Sequence, residues 1–520
     1  MTDRLRKLGF LLCLATILLA VLDLQIMSAA TVPIVRDLDP AHGIDKIPWL
    51  VSAYALASAA MLPLYGKLCD VLGAKRIWLG AIATFLLGSV LCGAAQSMTQ
   101  LIAARALQGI GGGGLMSVTM VVLAQLKGPE EKGGGKGGSM GGIFAGGGMA
   151  VGPWIGGLLA DHANWRWIFY INLPVGIAVL VTSALVLKLP KPVHTAGRRS
   201  IDFLGAGLAA AFSSALLLAM EWGGKSYAWG SPLVVTLLVT AAAGLGLFLW
   251  RQTRAAQPVL PLSMFKVPEL RGSFAIQGLL GAAMMGALMY VMIYLQTVRG
   301  IESSAAGLYL IPMALGMTAV GFLAGRLAWQ ARTFALGGSA VSALALVLLG
   351  TLTPTTSLWL IRADLLLLGI GFGQLIGQLI LLVQEAAPRE QLGVATTSIR
   401  FFQSLGNALG TALFGTLLAR LYEANGPGSS TSHIAGLTGS EHAAAIGAFT
   451  DAMGIVFWCA AGLMALAASL ALRLPAHKAS LHRSVAVTTS PRTAPPAAAR
   501  PGVPAPRGDR APSSTASRHR

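Results

Sequence analysis

The chain has 520 residues, of which 55% are hydrophobic and only 11% charged, and its mean hydropathy is +0.69. Soluble domains carry about a quarter charged residues, so this composition excludes an ordinary soluble enzyme or binding domain and points to a polytopic membrane protein. A formal net charge of +18 would suit a nucleic-acid binder in a soluble chain; in a membrane protein it fits basic residues gathered in cytoplasmic loops, and no nucleic-acid partner is expected.

A helix crosses a bilayer with about 20 apolar residues, and on that template the sequence predicts fourteen spans. They lie near 8–31, 48–66, 77–96, 101–126, 138–160, 168–187, 202–221, 232–251, 272–296, 305–325, 334–352, 357–383, 393–420 and 450–473. The first follows Arg4-Leu-Arg-Lys7 in the manner of a secretory signal, but it carries Asp23 and many spans come after it, so it is read as retained. Basic residues concentrate in alternate connections: Arg4, Arg6 and Lys7; Lys67, Lys75 and Arg76; Lys127, Lys132 and Lys136; Lys188, Lys191, Arg198 and Arg199. That asymmetry predicts both termini in the cytoplasm, with the protein in the inner (plasma) membrane. Trp49, Trp78, Trp165, Trp167, Trp222, Trp229, Trp250 and Trp359 stand near predicted span ends, where an interfacial belt would put them. Residues 474–520 are rich in Pro, Ala, Ser, Thr and Arg without an apolar run, and are read as a disordered basic tail.

The chain echoes itself. Leu101-Ile-Ala-Ala-Arg-Ala-Leu-Gln-Gly-Ile-Gly111 resembles Leu360-Ile-Arg-Ala-Asp-Leu-Leu-Leu-Leu-Gly-Ile-Gly371, with the Gly-Ile-Gly 260 positions later. Gly148, Gly152 and Gly157 are followed 258 positions later by Gly406, Gly410 and Gly415. Matching offsets at consecutive spans predict two related halves in the same orientation. The division expected is a cytoplasmic 1–7, a six-helix bundle 8–187, two additional helices with linkers 188–271, a second bundle 272–473 and the tail.

Two stretches organise these halves. Gly66-Lys-Leu-Cys-Asp-Val-Leu-Gly-Ala-Lys-Arg76 fills the turn between spans two and three. Gly66 and Gly73 permit close packing, Asp70 can meet a helix N-terminus or a cation across the halves, and Lys75 and Arg76 hold the loop inside. In span five, Gly148, Gly152, Gly156 and Gly157 let a second backbone approach, and Pro153, where the echo has Thr411, kinks the helix.

The pattern from Gly66 to Arg76 resembles the signature loop of the major facilitator superfamily. Leu22-Asp-Leu-Gln-Ile-Met-Ser-Ala-Ala-Thr-Val-Pro33 is similar to the first-span motif of the fourteen-span drug:proton antiporters, the EmrB/QacA type. Arg105-Ala-Leu-Gln-Gly-Ile-Gly111, Gly148-x3-Gly152-Pro153-x2-Gly156-Gly157 and Asn164-Trp-Arg-Trp-Ile-Phe-Tyr-Ile-Asn-Leu-Pro174 resemble the family's fourth-span, antiporter and sixth-span motifs. The resemblance implies an all-α major facilitator fold of two six-helix bundles plus two central helices. It also implies proton-driven export of amphiphilic compounds by alternating access, with no cofactor beyond the proton gradient. The departures are Val71, where a basic residue commonly follows the loop aspartate, and Trp329, where the second-half loop would carry an acid.

Asp23 is the residue best suited to proton coupling, with Arg105 entering span four at a comparable depth. Low dielectric favours the neutral acid and a guanidinium the ionised one, so their separation can set proton affinity. An ion pair that only pins two helices is the competing reading. Asp364 with Arg362, and Arg400, are expected to pair within the second half, and Asp451 to cap the last span. For substrate contact the sequence offers Met284, Met285, Met289, Tyr290 and Tyr294 in span nine with Gln374 and Gln378 in span twelve, since thioethers and aromatic faces suit varied amphiphiles.

Enzyme chemistry finds no support. Gly128 to Lys136 does not meet the phosphate-loop spacing, no histidine pair has ligand spacing, and there is no nucleophile, base and orienter set, so neither catalysis nor a metal is expected. The expected partners are an amphiphilic small molecule, protons and membrane lipid, on a monomer. An exporter dedicated to one endogenous lipid or secondary metabolite, and a transport-inactive membrane sensor or scaffold, are the alternatives.

Overall fold

A helix satisfies its own backbone hydrogen bonds, which is why apolar segments of this length fold as helices. The computed structural model describes residues 3–29, 31–39, 46–126, 164–187, 189, 202–224, 226–324, 330–425 and 439–475. Span five, with Gly148, Gly152, Pro153, Gly156 and Gly157, lies outside them, as do residues 325–329 and the tail from 476.

The long helices are α1 (Asp3–Ala29), α2 (Ile47–Leu72), α3 (Ala74–Gly93), α4 (Met98–Leu126), α5 (Asn172–Val186), α6 (Phe203–Trp222), α7 (Pro232–Arg254), α8 (Pro268–Ile293), α9 (Ile311–Ala324), α10 (Ala331–Leu349), α11 (Leu358–Ala386), α12 (Leu392–Asn425) and α13 (Gly439–Leu472). Among the described residues there is no strand, only an isolated bridge between Gly223 and Tyr227. Among the described residues eleven helices are long and apolar enough to cross a membrane. Outside that set are α9, with 14 residues, and α12, with 34 residues and a low mean hydropathy that Arg400, Gln403 and Asn407 help to set.

Three assignments differ from the sequence reading. The stretch beginning at Gly66 is not a loop: Gly66, Lys67 and Asp70 ride on the last two turns of α2, and the turn is Gly73 alone, at φ 93°. Only glycine occupies that conformation without strain, so the break falls there; Gly66 is glycine because another helix approaches it. Asp451 is an exposed residue within α13, which starts twelve residues earlier at Gly439, so it caps nothing. Asp202 caps a different helix, α6, its carboxylate accepting from the Gly205 N–H at 3.0 Å and from Arg251 Nε at 3.0 Å. Trp78 is not interfacial either: it is fully buried, donating to Thr119 Oγ1 at 2.8 Å.

Close glycine contacts repeat across the chain. A Cβ on Gly109 would meet the backbone of Tyr54, and one on Gly369 the backbone of Met313. Gly113 lies against Ser58 as Gly373 lies against Met317. Thus α4 packs on α2 as α11 packs on α9, in register with the 260-residue sequence offset. One apolar core gathers Cys13, Ile17, Trp78, Phe85, Val122 and Val179 of α1 and α3–α5. Another joins α8 and α10–α13 with Phe212 of α6 and Phe248 of α7. Helix α6 touches both sides, through Trp222 on Trp49 (ring centroids 5.1 Å apart) and Phe212 on Phe401 (6.2 Å).

Candidate functional site: a buried carboxylate cluster and a capped helix end

Four helices, α2 to α5, bring side chains to the cluster around Asp23 of α1. Arg105 Nη1 donates to Asp23 Oδ2 at 2.9 Å and to Gln108 Oε1 at 2.7 Å, and Arg105 Nε donates to the Leu50 carbonyl at 3.2 Å. Gln108 Nε2 donates to Asp23 Oδ1 at 2.8 Å and Asn172 Nδ2 to the same oxygen at 2.9 Å. Both amides also reach Ser89 Oγ, at 2.7 and 3.1 Å. The Cys92 thiol donates to Gln108 Oε1 at 3.6 Å, and the Arg105 guanidinium lies 4.4 Å from the Tyr54 ring centroid. Asp23 is 3% exposed and Arg105 1%, so the pair depends on these neutral donors and acceptors for its solvation. Buried charges persist only when paired and hydrogen-bonded, and this cluster meets both conditions.

The sequence reading found Asp23 and Arg105 and missed Gln108, Ser89 and Asn172. Gln108 had a signal, because it sits three residues after Arg105 on one helix face. Asn172 stood in the quoted run from Asn164 to Pro174 without a role. In the same run Trp165 Nε1 and Arg166 Nη1 donate to Asp37 Oδ2 at 3.0 and 2.7 Å, and Arg166 with Trp165 holds that carboxyl below the ordinary carboxylate range.

The second arrangement lies at the other end of α2. Asp70 Oδ1 accepts from the Gly393 N–H at 2.7 Å and Oδ2 from the Val394 N–H at 3.0 Å, placing a carboxylate on the first turn of α12. The approach needs both glycines: a Cβ on Gly66 would lie 2.7 Å from Val394 Cα, and one on Gly393 2.5 Å from Asp70 Oδ1. Lys75 Nζ donates to the Ala184 carbonyl at 2.9 Å in the last turn of α5, while Arg76 is exposed. Gln384 Nε2 of α11 reaches the Met120 carbonyl of α4 at 3.2 Å. Beside these, Lys67 Nζ donates to Gln257 Oε1 at 3.1 Å, in the segment after α7.

Comparison with known proteins decides the family. The model of the Major Facilitator Superfamily matches residues 11–411. The chain belongs to that superfamily. An MFS-type transporter of Mycobacterium tuberculosis is 38% identical over 446 residues, covering 82% of this chain and 64% of the relative, so the chain spans under two thirds of that protein's length. The multidrug transporter protein MdtP of Bacillus subtilis is 33% identical, covering 76% of this chain and 72% of its own, and the multidrug resistance protein 3 of the same organism is 32% identical over 83% of each. The crystal structure of the human organic anion transporter MFSD10 (TETRAN) superposes with a TM-score of 0.60 at 16% identity, over 91% of this chain and all of that one, and shares the fold.

In this member of the superfamily the carboxylate cluster belongs to one half. In the register of the glycine contacts, Leu365 and Leu368 stand where Arg105 and Gln108 stand, and both are fully buried apolar residues. The ion pairing expected around Asp364 does not form: Arg362 lies over the rings of Tyr309 and Trp359, Arg400 donates to Gln403 Oε1 at 2.7 Å, and no ion pair joins Asp364 to another described residue. Arg362 finds aromatic faces within reach on two sides, which is why it needs no acid. Of the substrate residues, Met285 and Met289 are exposed on α8, Met284, Gln374 and Gln378 are half-buried, and Tyr290 is buried. Tyr294 is fully buried with its hydroxyl donating to the Thr353 carbonyl at 2.6 Å, an arrangement that holds a loop and presents no face to a ligand. Among the described residues no hydrogen bond joins the α8 group to Gln374 or Gln378. No group of His, Cys, Asp and Glu among them could hold a metal ion.

Proposed function

We propose that the protein is a fourteen-span drug:proton antiporter of the EmrB/QacA type, exporting amphiphilic small molecules across the plasma membrane by alternating access, with both termini cytoplasmic. The observation that carries this reading is the Asp23 cluster: a buried carboxylate in a membrane helix, held by one guanidinium and two amides. An intramembrane acid with a displaceable cationic partner is what a proton carrier requires. The names of the Bacillus relatives support the drug-like substrate class.

On this reading the Asp70 contact with α12 is the cytoplasmic gate in its closed position, with Gly66, Gly73, Lys75 and Arg76 shaping it. Gly148, Gly152, Pro153, Gly156 and Gly157 form the antiporter hinge in span five, and Met284, Met285, Tyr290, Gln374 and Gln378 are the substrate-facing residues. One proton entering down a 100 mV potential supplies about 2.3 kcal/mol, which holds roughly a fifty-fold gradient of a neutral substrate at a one-to-one ratio. The test is reconstitution in liposomes with a pH-sensitive dye inside, adding lipophilic cations and neutral amphiphiles in turn. Substrate-triggered proton flux is expected for at least one class; a flat dye signal for every compound contradicts antiport.

A further inference from the structure

We propose that Asn172 is a positioning residue for proton coupling, its side-chain amide turning over when Asp23 takes up a proton. The proposal rests on the reading of Asp23 as the proton carrier. Among the described residues the groups hydrogen-bonded to its carboxylate are all donors: Arg105 Nη1 on Oδ2, Gln108 Nε2 and Asn172 Nδ2 on Oδ1. The other titratable groups of the cluster among the described residues are Tyr54, whose ring underlies the guanidinium, and Cys92, whose thiol donates to Gln108. A shell of donors fits the carboxylate and leaves the O–H of a neutral acid pointing at N–H groups. One member has to reverse before the proton is held.

Arg105 has no acceptor atom to offer. Gln108 is fixed, because its Oε1 already accepts from Arg105 Nη1 and Cys92 Sγ, and reversal would set its NH2 against the guanidinium. Asn172 is not fixed in this way. Both of its hydrogen bonds come from Nδ2, and its Oδ1 has no hydrogen bond to a described residue. Turned over, Oδ1 takes the place of Nδ2, 2.9 Å from Asp23 Oδ1 and 3.1 Å from Ser89 Oγ. The proton arriving from water then forms the O–H bond on Asp23 Oδ1 and is donated to Asn172 Oδ1, while the Ser89 hydroxyl rotates to donate to the same oxygen. No other bond breaks, and the charge of the Asp23 and Arg105 pair rises from zero to +1. Release to water on the opposite side reverses each step.

The chain has four asparagines, Asn164, Asn172, Asn407 and Asn425, so isotope-edited infrared spectroscopy can follow one of them. The full-length protein, labelled with carbon-13 at asparagine side-chain carbonyls and placed in lipid vesicles, is titrated with pH. A labelled amide band is expected to shift together with the carboxyl band that Asp23→Ala removes, and to be missing in Asn172→Leu. Gln108→Leu deletes a donor that serves only the ionised acid, and should move the carboxyl midpoint upward by about one pH unit. Asn172→Leu deletes a partner of both forms and should move it much less. Asparagine bands that stay still across the Asp23 transition overturn the proposal, and so does an Asn172→Leu shift as large as that of Gln108→Leu. The first of these is read on the unsubstituted chain and needs no variant to fold. Absence of any titrating carboxyl band, or one that survives Asp23→Ala, removes the proton-carrier reading itself and the proposal with it.

Discussion

Asp23 and Asp70 are two carboxylates of one apolar chain set to different work by what faces them. Asp23 meets a guanidinium and two side-chain amides, groups that can move independently of the backbone. Asp70 meets two backbone N–H groups of α12, which move only with that helix. Its loss should therefore be felt as a change in how the two ends sit together. A carboxylate capping a helix start contributes about 1–2 kcal/mol, so Asp70→Ala should shift the closed-to-open ratio by roughly 5- to 30-fold. Spin labels on the exposed Arg76 and Arg389 positions would report it as a new population at longer distance. An unchanged distance distribution contradicts the gating role. Charged residues in apolar spans announce themselves, which is why Asp23 and Arg105 were legible before the fold. Ser89 and Asn172 were not, since neutral polar residues are common in membrane helices and only the third dimension brings α3 and α5 to α1.

At the scale of elements, apolar period and length located the helices well, and their ends poorly. Gly66 signals a break by composition yet lies inside α2, because close approach of α12 and a left-handed turn both select glycine and the sequence does not distinguish them. The glycine echo in α12 shows the first use plainly. A Cβ on Gly406 or Gly410 would meet the backbone of Gly278 or Ala282 in α8, whereas one on Gly415 has only the Tyr290 hydroxyl, at 3.6 Å. Backbone cannot yield as a side chain can, so Gly410→Val should cost about 1–3 kcal/mol or more in thermal unfolding, and Gly415→Ala close to nothing. Equal melting temperatures for the two variants would refute this packing. On the proposed hinge role of the span-five glycines, Gly152→Leu should abolish export while leaving membrane insertion intact. Normal export by that variant would remove the hinge role. Helix α5 is held at both ends, by Asn172 on Asp23 and by Lys75 on the Ala184 carbonyl. Its twelve intervening rises, about 18 Å, separate the Asp23 cluster from the residues around Asp70.

For the whole molecule, membrane residence was legible in composition and the duplication in the 260-residue offset, and the paired contacts of Gly109 with Tyr54 and Gly369 with Met313 give that offset a physical form. What the offset hid was asymmetry. Leu365 and Leu368 repeat the positions of Arg105 and Gln108 without their chemistry, so on the proposed mechanism one half carries the proton and both halves move. The capped end at Asp70 and the cluster at Asp23 then have to alternate: the gate opens in one protonation state and closes in the other. The most direct test is transport by Asp23→Asn in liposomes, measured with and without a pH gradient. The account predicts that the variant still exchanges substrate down its own gradient but no longer accumulates it when a proton gradient is imposed. Accumulation at the unsubstituted rate would contradict it.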